Sequence, residues 1–261
     1  MMKVGYMRGA LWAPAVALGL CAAALPASAQ NVGAGAIAGA GLGAGQGVAG
    51  RVALRDQSSL GLRAAAEQGL RAMMLEMSRG HAAGAKLPEG FPLAAATYGE
   101  LATLTLGAGF EVNTVDPAAL MYANAAADLS RIARSTDTWK FVILSAGKPV
   151  GLLDMNRVGG RWTAVGAGAS ALAADLVAAA PATGDGSFRF VRIYQATSDL
   201  IEVRGAGDRS RFVPMPSARR SLALSASAAR TTAGAEQTLD SQDLLPALQA
   251  AVRGNLQRGQ R

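Results

Sequence analysis

The chain has few residues able to do covalent or metal chemistry. Its only histidine is His81, in the loop Ser78-Arg-Gly-His-Ala-Ala-Gly84, and its only cysteine is Cys21. A Ser-His-Asp triad would have to use His81, and no Gly-x-Ser-x-Gly elbow accompanies it. The spacing therefore reads as a solvent-facing loop histidine. One histidine and one cysteine exclude both a Cys/His zinc cluster and an intrachain disulfide. Neither H-E-x-x-H nor an EF-hand loop occurs, so no metal and no cofactor is implied.

Two motifs mimic catalytic or phosphate-binding sites. Ser145-Ala-Gly-Lys148 is formally S-x-x-K, which in penicillin-binding enzymes opens a helix. Here Gly147-Lys148-Pro149 reads as a hairpin turn, and the companion Ser-Asp-Asn and Lys-Thr-Gly motifs are missing. Gly166-Ala-Gly168-Ala-Ser170-Ala171 follows a strand pattern and opens a helix pattern, like a dinucleotide fingerprint. The strands before it read as hairpins, so a tight strand-to-helix turn capped by Ser170 is expected. Free N–H groups near Ser170 are then the place for an anion. Glu100, Glu111, Asp116, Asp154 and Glu202 offer carboxylate pairs for glycan hydrolysis, but no motif joins them.

Arginine is the most informative residue type. There are 21 arginines against 4 lysines, within a formal charge of +7. Between 189 and 230 lie eight arginines and three acids, Asp199, Glu202 and Asp208. Arg189, Arg192, Arg204, Arg209 and Arg211, with Ser170, are the candidate anion- or partner-binding residues. Guanidinium suits planar carboxylate and phosphate partners. Arg189 and Arg192 fall on opposite faces of a regular strand, so the patch they suggest is not automatically continuous.

The elements that must position these residues follow from periodicity. Leu62, Ala66, Leu70, Met73 and Met77 form one helical stripe over 57–79, with Ser58 or Ser59 as N-cap and Gly80 at the end. The methionines suit either the core or an adaptable surface. Residues 110–115 alternate as a strand. Asp116-Pro117 starts a helix expected to reach about 134. Strands follow over 139–145, 150–157 and 161–165, with turns at Ala146-Gly147 and Gly159-Gly160. A helix spans 170–180. Further strands cover 188–194, 199–204 and 210–213, with a turn at 205–208, and a short helix follows Ser217. Short turns between successive strands imply antiparallel pairing. The fold class is therefore α+β, an antiparallel sheet from two β-meanders (139–165 and 188–213) separated by a helix, with flanking N- and C-terminal helices. Trp139, Phe141, Val150, Leu152, Trp162, Phe190 and Ile201 are the expected core. The hairpin pattern Trp139-x-Phe-Val-Ile, Gly147-x-Pro-Val-Gly151 and Gly160-Arg-Trp162 loosely resembles secreted bacterial domains over about a third of the chain. The resemblance implies no activity.

The first segment is an address. Lys3 and Arg8 precede the uncharged apolar run Ala10 to Leu25, and Ala27-Ser28-Ala29 is an A-x-A cleavage site. Residues 1–29 read as a secretory signal peptide. Cys21 lies inside the apolar run after bulky Leu20, which argues against lipidation. Cleavage after Ala29 leaves a cysteine-free chain, suited to an oxidising compartment, with a charge of +5 from 23 basic and 18 acidic residues. Residues 30–50 are a Gly/Ala-rich flexible leader, 51–224 a single α+β domain, 225–238 a linker, and 239–261 an amphipathic helix with a basic tail.

Composition supports a modest core. Hydrophobic residues are 51%, but alanine inflates the figure and aromatics are only 5%. The reading that results is a periplasmic or secreted, non-enzymatic binding module engaging an envelope protein or an anionic surface polymer. Export argues against nucleic acid as partner. The alternatives are a carboxylate-dependent hydrolase of an envelope polymer and a structural protein that self-assembles through its Gly/Ala leader.

Overall fold

A computed structural model describes residues 53–124, 126–183, 186–204, 209–224 and 238–258. The segment read as a signal peptide (1–29), the expected Gly/Ala-rich leader (30–50), the turn expected at 205–208, all but the last residue of the linker expected over 225–238 and the end of the basic tail lie outside the described residues.

Ser59 caps α1 (Leu60–Ser78), its side chain accepting from the Leu62 amide. Leu62, Ala66, Leu70 and Met74 are its buried stripe, with Met73 and Met77 half-buried beside them. After a loop and the single turn α2 (Tyr98–Leu101), the chain enters β1 (Thr105–Val115). Asp116 then caps α3 (Pro117–Tyr122) through the Ala119 amide, with Pro117 in the first turn where its missing N–H costs nothing.

The expected helix to 134 is not continuous. It breaks at Ala123, resumes as α4 (Leu129–Ile132) under an Asp128 cap, and gives way to β2 (Ala133–Ser145). The competing force is sheet pairing: Val115 faces Ala133 across a β1–β2 ladder that begins six residues before Trp139. Then come β3 (Lys148–Val158), β4 (Arg161–Gly168), α5 (Ser170–Ala178), β5 (Arg189–Ile193), β6 (Ser198–Arg204), β7 (Ser210–Pro214), α6 (Pro216–Ser221) and α7 (Ser241–Arg258). The two tight turns use positive φ at Ala146 and Gly147 and at Gly159 and Gly160. Mirror-image turns of this kind match the twist of antiparallel strands. Ser145 and Lys148 are consequently opposed across a hairpin.

The strands form one seven-stranded sheet in the order β4-β3-β2-β1-β5-β6-β7. It is mostly antiparallel. The expectation of a wholly antiparallel sheet is corrected at its centre, where β1 and β5 run parallel through Val112–Phe190 and Asn113–Val191. Side chains alternate across the sheet, so neighbouring residues feed different cores. Phe110, Val142, Leu152, Phe190, Ile201 and Val213 pack with α5 on one face. On the other, Phe141, Ile143, Leu153 and Met155 pack under α1, and Val191, Ile193, Leu200 and Phe212 pack under α7. Each large apolar side chain removed from water contributes about 1.5–3 kcal/mol. Trp139 and Trp162 are only half-buried; the Arg157 guanidinium lies 4.7 Å over the Trp162 ring.

The attachment of α1 to the sheet is polar as well as apolar. The β1 ladder shifts register between Leu106 and Gly109. Arg63 donates to the Leu106 and Gly107 carbonyls at 2.9 and 3.0 Å, and Asp56 accepts from the Gly109 amide at 3.0 Å. The pair thus satisfies backbone groups near the irregularity. Gly109 is required there because a Cβ would enter the Phe141 ring.

Candidate functional site

The structure divides the candidate arginines. Arg189, on β5, donates from Nε to Glu202 Oε2 at 2.6 Å and from Nη2 to the Ser130 carbonyl at 2.6 Å. Ser210 Oγ donates to the other Glu202 oxygen at 2.6 Å. Arg189 therefore ties α4 to the sheet. Arg192 stands across the ladder from Asp199, Nε to Oδ1 3.4 Å, and its guanidinium lies 5.7 Å from the Tyr194 ring centre. Asp199 is 4% exposed and takes a 2.9 Å hydrogen bond from Ser217 Oγ. Alternation along β5 puts Arg189 and Arg192 on opposite faces, as expected. Arg211 lies 3.5 Å from Asp240 and donates from Nη2 to the Thr238 carbonyl at 2.9 Å. Arg204 closes the β6–β7 ladder opposite Ser210, and its side chain is outside the described residues.

Ser170 does not cap its helix. Ala169 occupies the cap position with φ 56°, no side chain caps the helix, and Ser170 is its first residue. The left-handed turn out of Gly168 displaces the expected cap by one residue. Gly166 and Gly168 belong to β4, antiparallel to β3, so the glycines do not form a dinucleotide loop between parallel strands. Ser170 begins α5 and does not line the cavity that Arg131 and Arg209 share.

That cavity, of ≈ 370 Å³, opens where α4, β7 and α7 begin. Asp128, Arg131, Arg209, Ser210, Asp240, Ser241 and Gln242 are its polar lining. The scaffold behind them is closed. Asp128 Oδ1 accepts from the Ser130 amide at 3.0 Å and from Ser241 Oγ at 3.3 Å. Ser241 Oγ in turn accepts from the buried Leu129 amide at 3.0 Å. Asp240 is held by Arg211 and, through its own amide, by Asp243 at 3.2 Å. The two lining arginines are not closed in this way. Arg131 is 86% exposed, with Asp128 only at 3.8 Å. Arg209 is exposed and forms no ion pair among the described residues. Of the expected arginines, Arg209 lines the cavity, Arg211 fixes one lining carboxylate, and Arg189 anchors α4 behind it. Arg131 and Asp128 were not singled out by composition. The signal for them was local: Asp128-Leu-Ser-Arg131 is a helix-capping pattern in the middle of a segment read as one long helix.

The residues able to do acid–base chemistry have other occupations. His81 stacks on Tyr98 with ring centres 4.0 Å apart. Glu100 accepts from the Ala96 amide at 2.9 Å, Glu111 from Ser135 Oγ at 2.5 Å, and Asp154 pairs with the buried Lys140. Among the described residues no three His, Cys, Asp or Glu side chains gather as a metal site. The Asp56 carboxyl sits among donors at the start of α1. Partial burial pushes its pKa up, but the Ser58 amide and hydroxyl, the Gly109 amide and Arg63 outweigh that and hold it below the usual carboxylate value.

A second cavity, of ≈ 320 Å³, is mainly apolar and lies between α1 and the end of α2 with the residues that follow it, lined by Leu70, Met74, Leu75, Leu101 and Leu104 with Arg71 beside them. No helix among the described residues is long and apolar enough to cross a membrane. No family model, no curated protein and no solved structure matches this chain.

Proposed function

We propose that the protein is an exported envelope component that works by binding, without chemistry of its own, and that it engages an anionic partner at the cavity between α4, β7 and α7. The observation that carries this reading is the contrast among its arginines. Arg189, Arg192 and Arg211 are committed to carboxylates of the fold. Arg131 and Arg209 share one polar cavity and retain donors for an incoming group. Guanidinium presents a planar fork to carboxylate or phosphate oxygens. The hydrolytic alternative is disfavoured by the engagement of Glu100, Glu111 and Asp154 in capping and pairing. Export rests on the signal-like segment at 1–29.

The test is retention of the exported chain on immobilised polyglutamate as salt is raised. Screening shortens from about 10 Å at 0.1 M to about 3 Å at 1 M, so an arginine-driven interaction elutes within that range. Arg131→Ala combined with Arg209→Ala is expected to weaken binding by about fivefold or more, since solvent-rim charges are each worth up to about 1 kcal/mol. Equal retention of the double variant would remove the cavity from the account.

A further inference from the structure

Resting on that reading, we infer that the cavity takes a carboxylate-bearing sugar, a uronic-acid unit of an acidic polysaccharide, in preference to phosphate or to an acidic peptide. Opposite hydrogen-bonding demands are paired in one small space. Arg131 and Arg209 are donors only, the Asp128 and Asp240 carboxylates present acceptors, and the Gln242 amide offers both. Ser210 and Ser241 Oγ are both drawn inward, to Glu202 and Asp128. A ligand that fills this lining must therefore offer an anionic acceptor to the guanidiniums and neutral donors to the carboxylates.

A phosphate group meets only half of that demand. Brought up to Arg209, its two negative charges also face the Asp128 and Asp240 carboxylates, which are fixed by Ser241, the Ser130 amide and Arg211. Like charges at close range disfavour it. A glutamate side chain brings the carboxylate but no hydroxyls. A hexuronate ring carries one carboxylate and several hydroxyl donors on a rigid body, so little ordering entropy opposes the fit. The cavity volume of ≈ 370 Å³ lies in the range of small-molecule sites.

Calorimetric titration of the full exported chain with trigalacturonate, neutral galactotriose, triglutamate and inorganic phosphate separates the outcomes. Trigalacturonate is expected to bind and galactotriose not. Arg209→Ala should weaken trigalacturonate by about fivefold. Asp240→Asn should narrow the preference for trigalacturonate over triglutamate, because an amide is a poorer acceptor than a carboxylate. Unchanged circular dichroism establishes that each variant is folded. Triglutamate or phosphate binding as tightly as trigalacturonate would overturn the sugar assignment and leave the anion-binding reading standing. Heat from none of the three anions would overturn both.

Discussion

The two edges of the sheet solve the same problem in different ways. A strand at an edge has a row of backbone groups that pair with nothing in the sheet, and proteins cover, bend or charge such rows. At the β7 edge the chain covers its own strand. Phe212 and Leu239 exchange two 2.8 Å backbone hydrogen bonds, and Arg211 holds the Thr238 carbonyl beside them. At the β4 edge no described strand continues the sheet. There the pairing with β3 shifts register between Asp154 and Met155, Arg161 is charged and exposed, and α1 presses Gly69 onto Ala164. The covered edge is also where the polar cavity forms, because the returning segment delivers Asp240, Ser241 and the start of α7 beside β7. Closing an edge with a distant piece of chain brings charged residues from distant positions together. Bending an edge does not.

The largest loss is expected on the covered side. Phe212 is fully buried beneath α7, so Phe212→Ala is expected to cost about 3–5 kcal/mol. On the bent edge, Val165 is 49% exposed, and Val165→Ala should stay within about 0.5 kcal/mol. Urea denaturation of both variants tests the contrast, and similar losses would erase it. Next in size is the helix that covers β4. A Cβ at Gly69 would stand 2.5 Å from the Ala164 Cβ. Gly69→Ala should therefore lose about 1–3 kcal/mol through overpacking, despite the better helix propensity of alanine. A gain in melting temperature would show that α1 sits more loosely on the edge than the geometry implies.

A smaller loss than that of Gly69→Ala is expected at the α1 anchor, and it depends on pH. The Asp56 pKa is lowered in the folded chain, so its contribution is complete above the unfolded value near 3.8 and disappears as pH falls through the folded value. Asp56→Asn should be destabilised by about 1 kcal/mol or less at neutral pH, because the pair with Arg63 is partly exposed. The gap to the unmodified chain should close in strong acid. A gap independent of pH would assign the loss to geometry and not to charge.

Much of the local structure was legible in the residues. The Asp116-Pro117 start of α3, the Ala146-Gly147 and Gly159-Gly160 turns and the buried stripe of α1 each depend on contacts within a few positions. The helix expected up to 134 failed because a long-range ladder, Val115 to Ala133, outweighed local helical preference. The Ser170 cap failed because one alanine takes a left-handed conformation that its side chain does not advertise. For the site, the alternation that separates Arg189 from Arg192 was readable, whereas their partners Glu202 and Asp199 come from the next strand, beyond any local pattern.

By itself, then, the sequence determined the hairpins, most of the elements and the α+β class, because turn chemistry, capping and hydrophobic period act over short spans. Only the tertiary structure decided that β1 and β5 pair in parallel, that Leu239 seals β7, and which arginines are spent on the fold. Those outcomes join residues tens of positions apart. They depend on how two cores on opposite faces of one sheet are filled at once, and no stretch of the chain encodes that alone.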